Sequence, residues 1–132
     1  MKQIPDDLKT FFDTQPLWYV GTCSTEPNVA VIGFKGFLDD GRILLCDVFM
    51  KHTLEDVKAN GKVSITACDP EKMAAYMISG TAEYFTESEH LENWKAIASA
   101  MSGGKLAPKG VVIITPEKIR NMSANAHNGQ EL

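Results

Sequence analysis

Residues 27–68 read PNVAVIGFKGFLDDGRILLCDVFMKHTLEDVKANGKVSITAC, and the order of signals in this stretch decides the fold. Val29 to Leu38 is an apolar, β-favouring run closed by Asp39-Asp40-Gly41, a turn sequence suited to a hairpin. Arg42 to Asp47 returns as the next strand. At Lys51-His52-Thr53 the apolar pattern gives way to a short helix. There Thr53-Leu54-Glu55-Asp56 has the form of a capping box, and Gly61 after Asn60 is a stop signal. Lys62 to Cys68 then alternates, with Val63, Ile65 and Ala67 on one face and Lys62, Ser64 and Thr66 on the other. The segment is a succession of hairpin-like strands with a helix only at a connection.

The flanks continue the theme. Pro5 to Thr14 places Leu8, Phe11 and Phe12 at helical spacing, and Leu17 to Cys23 reads as the first strand, followed by a turn at Thr25-Glu26-Pro27-Asn28. After a turn at Asp69-Pro70-Glu71-Lys72, Ala74 to Phe85 is a long strand with Gly80 as its bend point. Ser88 to Met101 carries Leu91, Trp94, Ile97, Ala98 and Met101 on one helical side and stops at Gly103-Gly104. Gly110 to Thr115 is the sixth strand. The reading is one mainly β (α+β) domain over residues 1–132, a six-stranded antiparallel barrel with helices at the connections and a polar tail from about 123 to 132.

Composition agrees. A chain of 132 residues, 44% hydrophobic and 23% charged, supports one hydrophobic core. Thirteen basic against 17 acidic side chains, a formal charge of −4, argue against nucleic acid or an anionic membrane as partner. MKQIPDDLKTFF contains no apolar signal-peptide core, and no apolar run approaches membrane-spanning length, so the expected location is cytoplasmic.

The strand from Val29 to Leu38 is apolar on both faces, as are the third and sixth strands. An antiparallel strand with one wet face alternates, so these outer faces call for a cover: a helix, a ligand or a second subunit. The chain has few helices for that task, which favours a subunit interface.

Candidate chemistry concentrates at the Lys51-His52-Thr53 junction. Two basic side chains, a hydroxyl and the free N–H groups of a helix start can together hold an anion, whereas Glu55 and Asp56 suit a plain solvated cap. Lys35 interrupts an apolar strand, either snorkelling at the sheet rim or facing an anion. Asp47 ends the third strand as a turn-forming acid or a hydrogen-bond partner for a ligand. Cys23, Cys46 and Cys68 lack zinc or CxxC spacing and are expected to be buried free thiols, Cys46 being the one placed for reactivity. His90 and His127 read as surface residues, Trp18 and Trp94 as core. No Ser/His/Asp set, paired-carboxylate motif or Gly-rich phosphate loop is present, so any chemistry would belong to a bound cofactor.

Several fragments resemble the flavin-binding split-barrel family typified by pyridoxamine 5′-phosphate oxidase, in particular its small single-domain members. Pro27-Asn28-Val29-Ala30, Gly33-Phe34, the Asp40-Gly41 turn, Phe49-Met50, Thr53-Leu54-Glu55 and Lys62-Val63-Ser64 follow the family's order and spacing, and Gly80-Thr81-Ala82-Glu83 falls at a similar segment. The match runs from about Leu8 to Ile119. It implies a split barrel and a homodimer with FMN at the subunit interface. Val31, Ile32, Gly33, Phe34, Lys35, Cys46, Asp47 and Val48 would line the flavin, and Lys51, His52 and Thr53 would hold its phosphate. The ring would lie along the backbone from Cys46 to Met50.

The chain departs from this pattern in places. Close relatives often read Met-Gly-Lys-Thr where this sequence has Met50-Lys51-His52-Thr53, and Ala30 stands where larger oxidases carry a phosphate-binding arginine. The arginine- and histidine-bearing C-terminal segment of the true oxidases has no match. The resemblance therefore implies an FMN-dependent oxidoreductase or electron carrier acting on a small molecule, not the oxidase itself. The alternative is a non-catalytic dimeric split barrel that has lost FMN and binds another ligand or partner.

Overall fold

The run from Val29 to Leu38, expected to be one strand, is two. A computed structural model describing residues 1–132 places β1 at Trp18–Cys23, β2 at Pro27–Ile32 and β3 at Lys35–Phe37, with Gly33 and Phe34 between the last two. β2 pairs with β1 (Trp18 opposite Ile32), whereas β3 pairs with β4, Ile43–Asp47 (Lys35 opposite Leu45). The strand changes partner at Gly33-Phe34, and the count becomes seven instead of six. The remaining strands are β5 (Lys62–Asp69), β6 (Ala74–Phe85) and β7 (Gly110–Asn121), and the helices are α1 (Asp6–Thr14), α2 (His52–Asn60) and α3 (Glu89–Ser102).

All pairs are antiparallel, in the order β2-β1-β5-β6-β7-β4-β3. The two edge strands are thus consecutive in sequence and joined by two residues, so the sheet curls round to bring its edges together. This is a split barrel. Inside it Trp18, Val20, Ile43, Leu45, Ile65, Ile78, Val112 and Ile114 pack with Leu8 and Phe12 of α1. Phe12 meets the Trp18 ring edge-on at 5.3 Å, and the Trp18 indole N–H donates to the Phe12 carbonyl at 2.8 Å. β5 alternates buried and wetter positions as expected.

The outer faces differ from strand to strand. On β4 and β7, Leu44, Cys46, Val111 and Ile113 form a second apolar cluster with Leu91 of α3, and Trp94 packs against it. A helix therefore covers the doubly apolar face of these two strands. On β2 nothing does: Val29 is 73% exposed and Val31 57%.

The β6–β7 ladder bulges at Gly80, which pairs with Pro116 while Ser79 pairs with Lys118, so Glu117 of β7 is the extra residue. Proline cannot donate to the ladder, so a bulge is where a long strand can hold one. β7 runs on through Pro116 to Asn121, beyond the expected Gly110–Thr115. The tail then folds back beside it, with Leu132 N–H donating to the Ile119 carbonyl at 2.9 Å.

The expected capping box does not form. α2 begins at His52 with Lys51 as its N-cap residue and no side-chain cap bond. Thr53 and Asp56 turn inward, because better partners lie on the strands beneath. The Thr53 hydroxyl accepts from the Asn28 carboxamide at 2.9 Å, and the Asp56 carboxylate accepts from the hydroxyls of Thr22 (2.8 Å) and Ser24 (2.6 Å). These bonds, with help from His52, hold the Asp56 pKa below the ordinary carboxylate value. Gly61 closes the helix in the left-handed region at φ 68°, as its position implies.

Candidate functional site

The break between β2 and β3 opens an apolar cleft of about 320 Å³. Ala30, Val31, Ile32, Gly33 and Phe34 form one side. Cys46 at the end of β4 and Val48, Phe49 and Met50 of the following loop form the other, with Leu106 at its border. A Cβ built on Gly33 meets no atom within 4 Å, so the glycine leaves the cleft open. At Met50 this cleft adjoins a second one of about 360 Å³, lined by Lys51, His52, Leu54, Glu55 and Lys58 at the start of α2. An apolar slot thus runs into a mostly basic pocket at a helix N-terminus. The first turn of that helix leaves backbone N–H groups without intrahelical partners.

Val31, Ile32, Gly33, Phe34, Cys46 and Val48 are brought to the apolar cleft, and Lys51 and His52 to the basic one. Three of the residues expected there have side chains engaged elsewhere. The Lys35 ammonium donates to the Gln15 carbonyl at 3.3 Å and lies 5.1 Å from the centre of the Trp18 ring, so it snorkels along the barrel end. Burial lowers its pKa, partly offset by Asp13. Asp47 is fully buried and forms a turn: one carboxylate oxygen accepts the Met50 N–H at 2.9 Å, the other the Tyr84 hydroxyl at 2.6 Å. Thr53 is buried against Asn28.

The thiols also sort differently from expectation. Cys23 and Cys68 are exposed, being on outward-facing strand positions. Cys46 alone is buried, and desolvation pushes its pKa up to about 12. It is an apolar wall of the cleft, not a nucleophile. His127 is exposed, Trp18 is core, and Trp94 is half-buried with its ring against Gly36. His52 faces Glu55 at 3.4 Å with both side chains largely in solvent.

Sequence reasoning missed Tyr84, whose phenol is pushed up to about 12 by burial first and then by its hydrogen bond to Asp47 and that carboxylate's charge. It missed Lys58 as well, whose ammonium lies 5.4 Å from the centre of the Tyr84 ring. No group of three or more His, Cys, Asp or Glu side chains converges in metal-binding geometry, and no helix is long and apolar enough to cross a membrane.

The molecule is a split barrel whose apolar cleft ends at a basic helix start. The pyridoxamine 5′-phosphate oxidase family model matches residues 4–123, and the chain belongs to that family. An uncharacterized protein of Methanocaldococcus jannaschii is 34% identical over 116 residues, spanning 85% of this chain and 76% of that relative. Among crystal structures, HupZ of Group A Streptococcus is 29% identical with a TM-score of 0.81, over 96% of this chain and all of that one. An FMN-binding protein of Syntrophomonas wolfei shares the fold at 17% identity and TM-score 0.76, over 89% and 84% of the two chains. A heme binding protein of Mycobacterium smegmatis shares it at 17% identity and TM-score 0.65, over 94% of this chain and 55% of that one.

Proposed function

We propose that the chain binds FMN and acts as a small flavin-dependent oxidoreductase or electron carrier, as a homodimer with the flavin between subunits. The observation that carries this reading is the junction of the two clefts at Met50. The flat faces and dimethylbenzene end of a flavin ring fit a slot nine of whose ten lining residues are hydrophobic, while a phosphate fits the pocket of Lys51, His52 and Lys58. The open glycine at position 33 suits close approach of a planar ligand. Bound there, FMN would supply the redox chemistry, exchanging electrons with a small-molecule partner.

The protein's own part is to bind and orient. Val48, Phe49 and Met50 give the slot its floor, Asp47 fixes that loop, and the apolar walls exclude water. Val31, which lines the cleft, and Val29 two residues before it on β2 are exposed, and this uncovered apolar face supports a second copy as a further wall. The rival reading, a dimeric domain without flavin, draws support from Glu55, an acidic side chain in the basic pocket, and from Ala30 in the place of a phosphate-binding arginine.

Titration with FMN and riboflavin separates the two. Replacing Lys51 and His52 together by Ala should weaken FMN roughly ten- to a thousandfold and leave riboflavin, which lacks the phosphate, nearly unchanged. A double variant that binds FMN as the parent does would place the phosphate elsewhere. A parent that binds neither flavin would favour the rival.

A further inference from the structure

We infer that Tyr84 positions both halves of this site: its hydroxyl fixes the loop flooring the ring slot, and its ring seats Lys58 in the phosphate pocket. The inference rests on the FMN reading above and assigns a role to a residue that need touch neither ring nor phosphate.

The first arm runs through Asp47. A carboxylate only accepts, so its two bonds have fixed polarity: Met50 N–H donates to one oxygen and the Tyr84 hydroxyl to the other. The Asp47 carbonyl also accepts the Lys109 N–H at 2.8 Å. Asp47 is thus held from three directions, and through it Val48, Phe49 and Met50 are held in the places that line the slot. Phe49 is 77% exposed and packing alone does not fix it, so the backbone anchor on Met50 matters there. Tyr84 itself has little freedom, because its ring and hydroxyl fill the space that a Cβ on Gly110 would need. A phenol with its pKa raised to about 12 remains a donor at every working pH.

The second arm is the ring face. Lys58 lies over it, lines the phosphate pocket beside Lys51 and His52, and has no carboxylate within ion-pair distance. The aromatic face therefore gives this ammonium a preferred place at the pocket.

The two arms are separable by chemistry. Tyr84→Phe removes only the hydroxyl, so riboflavin and FMN should weaken by the same factor, roughly tenfold, with their affinity ratio unchanged. Lys58→Ala should weaken FMN alone, about two- to fivefold. Tyr84→Leu, which removes both the hydroxyl and the aromatic face, should show both effects, and if it fails to fold, Tyr84→Met, equally without an aromatic face, serves in its place. Affinities are read by quenching of flavin fluorescence, alongside thermal melts of the flavin-free proteins. A Tyr84→Phe protein that melts earlier but binds both flavins as the parent does would overturn the inference and leave the FMN reading standing. A Tyr84→Phe protein with an altered FMN-to-riboflavin ratio would overturn the division into two arms. Failure of the parent to bind FMN at all would instead remove the reading on which the inference rests.

Discussion

Gly33 is where the proposed site can be obstructed without disturbing the fold. It lies between β2 and β3, it is exposed, its φ is outside the left-handed region, and a Cβ there meets nothing within 4 Å. Gly33→Leu should therefore change folding stability by no more than about 0.5 kcal/mol, as surface substitutions usually do. Its isobutyl group would enter a slot of only about 320 Å³. If it keeps about 100 Å² of the flavin ring from being buried, at about 25 cal/mol per Å², the loss is about 2.5 kcal/mol, or roughly seventyfold in Kd. Because the ring is the part displaced, riboflavin should lose the same factor as FMN. Flavin fluorescence quenching gives the affinities, and a thermal melt of the flavin-free protein checks the fold. A variant with the parent's melt and the parent's FMN affinity would refute the placement of the ring in this cleft.

Three further outcomes follow from the same geometry. Alkylation of the native protein near neutral pH, followed by mass spectrometry, should label Cys23 and Cys68 rapidly, and Cys46 only after denaturation, since its thiol is buried with a pKa of about 12. Gly80→Ala should cost more than about 3 kcal/mol in a denaturant melt, because the new Cβ would run into the Thr115 carbonyl of β7, which is backbone and cannot step aside. Asp56 has a folded pKa below its ordinary value, so the unfolded chain binds its proton more readily. Its stabilising contribution is complete above the unfolded carboxylate pKa and is lost as pH falls through the lowered folded value. Asp56→Asn should accordingly be less stable than the parent near pH 7, with the gap narrowing on acidification below about pH 4.

Most elements were legible because local signals and tertiary contacts agree. The Asp-Gly turn, the left-handed Gly61 and the alternation of β5 each follow from backbone or side-chain rules that need no partner. The break at Gly33-Phe34 was not legible, because an apolar run does not reveal that its two halves pair with different strands. The capping box failed for a related reason: Thr53 and Asp56 suit a cap, yet Asn28, Thr22 and Ser24 offer them partners that only the folded chain supplies. For Lys35 the sequence left a rim position and an anion contact both open, and the Gln15 carbonyl and Trp18 ring that hold its ammonium come from residues 17 to 20 positions earlier in the chain. Tyr84 left no trace in sequence, since its bond to Asp47 joins residues 37 apart on different strands.

On the proposed reading, the two adjoining clefts hold FMN at an interface between two copies of the chain. Native mass spectrometry of the purified protein with a modest excess of FMN tests it in one spectrum. The expected species is two chains carrying two FMN molecules, released on denaturation because no covalent link is involved. Chains that stay flavin-free at saturating FMN, or that take up heme and exclude FMN, would contradict it.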